Sequence, residues 1–217
     1  MTQLQEYSDT YYEFSRPDDG IKYQVDNWRD SLIRRQISNR VPGGRLLDVG
    51  CGIGAFLESM QGEFELWGLD ISDYAISRCH ERLPGATLAA GSLSEGIPWD
   101  VTFDAITAIN VFEHLEEPLR AAQVVRRHLR PGGLLVAHLP TIGNRLQAAL
   151  YRGSYDQDPT HIYRPSGKEF TRVVESAGFG TVWTAYAPFV AAPLMRHVPA
   201  HPAFMAIFEA LPTAGQL

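Results

Sequence analysis

The run Leu46-Leu47-Asp48-Val49-Gly50-Cys51-Gly52-Ile53-Gly54-Ala55-Phe56 sets three glycines at alternate positions directly after an apolar segment. Glycine adopts conformations closed to other residues, so such a turn brings backbone N–H groups close to a ligand. A second apolar segment ends in Gly68-Leu69-Asp70-Ile71, which puts an acid 20 residues beyond Gly50. Strand, glycine turn, helix, strand and acid together describe a site for a nucleoside-bearing cofactor, with the acid placed for ribose hydroxyls. The glycines alone would equally suit an ordinary strand-to-helix turn, and it is the second strand with its acid that favours the ligand site. Two histidines, His114 and His161, fall where strand ends of an open α/β sheet meet ligands, and histidine titrates nearest working pH.

The glycine spacing is not that of a dinucleotide fold, which runs Gly-x-Gly-x-x-Gly; here Ala55 stands where the last glycine would fall, and Asp48 precedes the first by two residues. Together these resemble motif I and the following acidic position of class I S-adenosylmethionine-dependent methyltransferases. Phe103-Asp104-Ala105-Ile106-Thr107-Ala108-Ile109-Asn110-Val111-Phe112-Glu113-His114-Leu115 is similar to the family's fourth-strand segment, and Leu129-Arg130-Pro131-Gly132-Gly133-Leu134-Leu135-Val136 to its fifth. The resemblance spans roughly residues 44 to 187. It implies that Asp70, followed by Ile71, holds the ribose, and that the loop of Asp48, Gly50, Cys51, Gly52 and Gly54 underlies the methionine half. By the same analogy Ser92 and Leu93 border adenine, and Asn110 borders the amino acid end. The family commonly has an acid near Ser92; a serine accepts a hydrogen bond more weakly, with Glu95 as a substitute.

The segment Asp158-Pro159-Thr160-His161 resembles the Thr-His segment of ubiquinone-pathway O-methyltransferases. His161 is accordingly the first candidate for a base or substrate ligand, with His114 the second, against the simpler reading that His161 ties its loop down by hydrogen bonds. In those enzymes the stretch matching Asn110 to His114 reads Glu-x-x-Glu-His and is thought to hold a divalent cation. Asn110 neutralises one hard oxygen ligand, which weakens such a site, so no metal is expected here. Arg145, Arg152 and Arg164 are candidate clamps for a carboxylate or phosphate, or else solvated arginines.

The elements that must position these residues follow from hydrophobic periodicity. Strands are expected near 45–50, 64–70, 86–90, 103–109, 133–139 and 179–186, alternating with helices near 54–62, 72–82, 117–129 and 167–177, and an earlier helix spans Val25 to Ile37. Pro118 suits a first helical turn, and Ser166-Gly167-Lys168-Glu169 has the form of a capping box. The alternation predicts an α/β fold, a doubly wound, mostly parallel Rossmann-like sheet. One domain is expected over residues 1–217: an aromatic N-terminal arm and helix (1–43), a cofactor-binding core (44–187) with a substrate insert (141–165), and an apolar tail (188–217). Tyr7, Tyr11, Tyr12, Phe14 and Tyr23 either pack on the domain or form a lid in which Tyr11 and Tyr12 close over the site. Phe189, Met195, Phe204 and Phe208 suit a core more than an acceptor pocket or a dimer contact. Because the chain stops at Leu217 soon after the tail, the last antiparallel strand is expected to be missing, leaving the sixth strand as an edge covered by the tail or by a second copy in a homodimer.

With 217 residues, 45% hydrophobic content and a net charge of −6, the chain suits one sizeable core and lacks the basic footprint of a nucleic-acid binder. Its two cysteines, Cys51 and Cys79, have no metal-ligand spacing, and neither a secretory signal nor a membrane-spanning run is present, so a cytoplasmic location is expected. The expected function is methyl transfer from S-adenosylmethionine, with S-adenosylhomocysteine as product, to a small molecule, an oxygen acceptor being favoured over nitrogen by the histidines. The alternatives are another reaction of the same cofactor on this fold, or a non-catalytic cofactor-binding subunit.

Overall fold

Arg45–Val49 forms the first strand, β1, and its apolar side chains are buried on both faces, as a central parallel strand requires. In the computed structural model, which describes residues 21–187 and 198–212, β1 follows a helix, α1 (Ile21–Ser38), whose Ile33 and Ile37 are fully buried. The glycine turn then leads into the short α2 (Ala55–Ser59), β2 (Glu65–Asp70), α3 (Asp73–Arg82), β3 (Thr87–Ala90) and β4 (Phe103–Ile109). A 3₁₀ turn, Phe112–His114, precedes α4 (Pro118–His128) and β5 (Leu129–Pro140). The chain continues through α5 (Arg145–Ser154), α6 (Gly167–Ser176), β6 (Phe179–Tyr186) and β7 (Ala203–Ala210). Pro118 does open α4, and α6 starts with a complete capping box in which Ser166 and Glu169 satisfy each other's backbone N–H groups.

The seven strands form one sheet in the order β3-β2-β1-β4-β5-β7-β6, with β7 antiparallel to both of its neighbours and the other contacts parallel. The chain reverses from β2 and β3 on one side of β1 to β4 and β5 on the other, so a crevice opens at the carboxyl ends of β1 and β4.

The expectation of a missing last strand is wrong. β7 lies inside the sheet, pairing Leu135 with Phe208 on one side and Thr181 with Phe208 on the other. Both of its faces are buried, so its run Phe204-Met205-Ala206-Ile207-Phe208 shows no alternation, and a short unalternating run among prolines gives no strand signal in sequence. The argument for a homodimer covering that edge falls with it. Phe204 and Phe208 are core residues, Phe208 meeting Phe170 and Phe179 edge-on at 6.1 and 6.4 Å between ring centroids. The insert is also more regular than expected, since α5 occupies its first half with Asn144 capping it. Tyr7, Tyr11, Tyr12, Phe14, the side chain of Tyr23, Phe189 and Met195 lie outside the described residues. No described helix is long and apolar enough to cross a membrane.

Because Phe208 sits between two strands and two aromatic rings, Phe208→Ala is expected to destabilise the fold by about 3–5 kcal/mol in urea unfolding. A loss under about 1 kcal/mol would show that β7 packs loosely.

Candidate active site

A cavity of about 240 Å³ lies at the carboxyl ends of β1, β2 and β4, lined by Gly50, Gly52, Asp70, Ile71, Ser92, Leu93, Asn110 and His114 among others. The turn after β1 shapes its floor. Gly50 has φ +72°, and a Cβ there would stand 2.5 Å from Val111 Cγ2, itself in the cavity wall, so a side chain would be strained and crowded together. Gly52 is also left-handed, at φ +51°, and its N–H donates to Asp70 Oδ2 at 2.8 Å. The Ser72 N–H donates to the other oxygen, Oδ1, at 3.0 Å, so two backbone donors orient the Asp70 carboxylate at the end of β2. Ile71 and Leu93 give apolar wall on the same side, with Ser92 as the polar residue between Gly91 and Leu93. Glu95, the substitute considered for adenine recognition, is exposed and does not line the cavity.

Three of the sequence-selected residues stand behind the wall. Asp48 is buried and accepts a 2.6 Å hydrogen bond from the Thr107 hydroxyl across the β1 and β4 pairing. Burial raises its carboxyl to about 7, against the lowering effect of Thr107. Cys51 is buried too, and its hydrogen bond with Cys79, with burial added, pushes its thiol up, so it is no nucleophile. Gly54 caps α2 and faces Cys79 rather than the cavity.

The opposite wall begins at Asn110, the one non-glycine residue with positive φ (57°) among the described residues. Asparagine tolerates this conformation better than most residues, and two bonds to His138 on β5 hold it. The Asn110 N–H donates to the His138 carbonyl at 2.8 Å, and Asn110 Oδ1 lies 2.8 Å from His138 Nδ1. Burial holds the His138 imidazole well below its ordinary pKa, so the ring is neutral and Nδ1 is the donor to that amide oxygen. Sequence reading missed His138 because its only signal is register: it faces Ile109 across β4 and β5.

Beyond Asn110 the 3₁₀ turn points Glu113 inward and His114 into the cavity. Glu113 is fully buried with neither carboxyl oxygen hydrogen-bonded, and burial pushes it up to about 8, so it carries its proton at neutral pH. His161 does not line the cavity. Its buried ring packs edge-on against His114, 4.8 Å between centroids, with Nδ1 3.2 Å from the Tyr151 hydroxyl and Nε2 3.7 Å from Asp158 Oδ2. Burial holds both His114 and His161 below the usual histidine range. Glu113, His114 and His161 bring a carboxylate oxygen and two ring nitrogens within 4.8 Å of one another, the one such grouping among the described residues. Asn110, which replaces a carboxylate of the cation-binding pattern, has its oxygen committed to His138. Thr160 also reaches the cavity, a residue sequence reading passed over in favour of its neighbour His161.

The insert is tied to this wall by the backbone, the Tyr163 N–H donating to the Glu113 carbonyl at 2.9 Å, and its two ends are joined by the Ile142 N–H donating to the Pro165 carbonyl at 2.8 Å. Of the candidate arginine clamps, Arg164 binds the Asp156 carboxylate and the His161 carbonyl and covers the Tyr151 ring, while Arg145 and Arg152 are exposed on α5, away from the cavity.

A family model described as a methyltransferase domain matches residues 22–183. A dTDP-3-amino-3,4,6-trideoxy-alpha-D-glucopyranose N,N-dimethyltransferase of Streptomyces venezuelae is 32% identical over 111 residues, covering 49% of this chain and 47% of that protein. A ubiquinone biosynthesis O-methyltransferase of Burkholderia vietnamiensis is 27% identical over 198 residues, covering 82% of this chain and 79% of that protein. The chain spans about half the length of several curated relatives it matches. Among solved structures, the magnesium protoporphyrin IX methyltransferase of Synechocystis, with S-adenosylhomocysteine bound, superposes with a TM-score of 0.71 at 14% identity, covering 95% of this chain and 97% of that one. That likeness is one of fold.

The buried Asp48 makes stability depend on pH. Its folded pKa lies above the unfolded value, so the folded chain keeps a proton that the unfolded chain has lost, and stability falls as pH rises from about 4 to about 7. Asp48→Asn removes that titration. Its stability relative to wild type is therefore expected to improve by a few kcal/mol, in order of magnitude, between pH 4.5 and pH 8 in urea unfolding. An equal difference at both pH values would show Asp48 ionised in the folded state throughout.

Proposed function

The chain belongs to the class I S-adenosylmethionine-dependent methyltransferase family, and from that membership we propose that it methylates a small molecule, at a hydroxyl in preference to an amine. The observation that carries the acceptor reading is His114, an imidazole kept neutral by burial in the cavity wall, since a hydroxyl nucleophile gains from a base and a neutral amine does not need one. Relatives of both the O- and the N-methylating kind leave that choice to the site.

The residues present fit the cofactor. Asp70 accepts from ribose hydroxyls, and its two backbone donors keep the carboxylate oriented. Ile71 and Leu93 offer apolar surface to a purine, Ser92 a polar contact at its edge, and the Gly50 to Gly52 turn an approach for the methionine half unobstructed by side chains. Asn110, its oxygen turned to His138, presents amide N–H donors to the cavity, a match for a carboxylate. When bound, S-adenosylmethionine supplies a methyl carbon already electrophilic on a sulfonium sulfur. The chain's own work is then alignment of the nucleophile and removal of its proton by a ring nitrogen of His114. His161, held by Tyr151 and Asp158, buttresses the His114 ring and exchanges the role of first candidate base for a supporting one.

Acceptors are found by a thermal-shift screen of phenols, catechols, aliphatic alcohols and amino sugars in the presence of S-adenosylhomocysteine, because a ligand that prefers the native state stabilises it. With an acceptor in hand, S-adenosylhomocysteine is the expected product, with turnover insensitive to a chelator; methylthioadenosine in its place would show another reaction of the cofactor, and no turnover a binding subunit. Asp70→Ala is expected to raise the Kd for S-adenosylhomocysteine by about tenfold or more in calorimetry. His114→Gln is expected to leave that Kd within about twofold and to slow turnover by about 10²–10⁴. Turnover unchanged in His114→Gln would remove the base from this reading.

A further inference from the structure

The hydrogen bonds around His114 run in one direction. Thr160 Oγ1 lies 2.9 Å from His114 Nδ1, and the same nitrogen lies 3.2 Å from the Thr160 carbonyl oxygen. The carbonyl can only accept. The Thr160 hydroxyl has one proton, and it donates that proton to Asp158 Oδ1, which also accepts the Thr160 N–H at 2.9 Å. Burial works to raise the Asp158 carboxyl, but the Thr160 hydroxyl and amide outweigh it and hold the group below the ordinary carboxylate range, so it is ionised and has no proton to offer. With its own proton committed, Thr160 Oγ1 presents a lone pair to His114. Both of these oxygens therefore act as acceptors toward Nδ1, which makes Nδ1 the donor.

We propose that Asp158 and Thr160 are positioning residues that lock His114 in its Nδ1–H tautomer, so that Nε2 carries the lone pair that takes a proton from the acceptor. The inference rests on the reading of His114 as the base, and it narrows the substrate: an Nε2 lone pair selects a nucleophile that donates a hydrogen bond, an O–H or N–H, over a proton-free sulfur or tertiary amine. The arrangement is the logic of an acid holding an imidazole in the productive tautomer, with a threonine hydroxyl interposed between carboxylate and ring. It also gives the insert a purpose that its arginines do not. Asp158 and Thr160 sit on the same short turn, where Asp158 Oδ1 gathers both donors of Thr160, and the Tyr163 to Glu113 backbone bond fixes that turn against the segment carrying His114. The ring itself is clamped from the other side by His161.

The test needs no acceptor. Long-range ¹H–¹⁵N correlation spectra of the full ¹⁵N-labelled chain report which ring nitrogen of a neutral histidine carries the proton, and His114→Gln identifies the His114 signals by their loss. At pH 8 the wild-type ring is expected to show a protonated Nδ1 and a bare Nε2. Thr160→Val, which removes the hydroxyl, and Asp158→Ala, which frees the hydroxyl to donate toward the ring, are each expected to move His114 toward the Nε2–H form. Thr160→Ser is expected to restore the wild-type pattern, a rescue that a packing role for the threonine methyl would not give. Amide spectra that superimpose on wild type outside residues 158–163 certify the fold of each variant; where one variant fails to fold, the wild-type tautomer and the remaining variants decide. A protonated Nε2 in wild type, or a His114 pattern indifferent to all three substitutions, overturns the proposal. Because the tautomer is read without turnover, its failure is distinct from failure of the methyl-transfer reading, which the product assay reports.

Discussion

The carboxyl end of β4 is the constraint on which the site depends. The strand pairs with β5 up to Ile109, and at Asn110 the backbone turns through a single left-handed residue while its N–H still bonds to β5. That turn sends the next five residues across the crevice rather than along the sheet. Val111 then meets the glycine floor, Phe112 goes into the core, Glu113 is buried behind the wall and His114 enters the cavity. The cost of a left-handed asparagine is modest, and the two bonds to His138 offset it. One register contact on β5 thus sets the direction of a whole wall.

The second organising effect is the unequal supply of donors to the acids. Asp70 and Asp158 each accept hydrogen bonds from two donors, one carboxylate standing oriented at the cavity and the other held below the ordinary carboxylate range behind His114. Asp48, with a single hydroxyl partner, and Glu113, with none, are held toward their neutral forms by burial. The low dielectric that suppresses those two charges also keeps His114, His138 and His161 neutral, so the interior around the crevice is polar in hydrogen bonding but poor in net charge. Such an environment suits proton transfer to an imidazole, because the ring starts unprotonated and its tautomer is set by neighbours rather than by solvent.

Much of this is legible in the amino-acid sequence. The glycine turn, Asp70, Ser92, Leu93 and Asn110 all line the cavity, and the strands from β1 to β6 fall close to where apolar runs predicted them. The failures share a cause. β7 has no alternation because both of its faces are covered, α5 hides in a stretch read as a substrate insert, and His161, the first candidate base, has its ring buried away from the cavity lining. In each case local pattern was silent about what packs on the other side.

By itself the amino-acid sequence determined the strand and helix alternation and the family, and it picked out residues that line the cavity, because those rest on local requirements: glycine where the backbone must turn left-handed, and an acid at a strand end. Only the tertiary structure decided which histidine faces the cavity, that His138 grips Asn110, and that Asp158 and Thr160 stand next to His114. Those facts depend on contacts between residues 28 and 46 positions apart, where β-sheet register and the docking of the insert, rather than sequence spacing, set the distances.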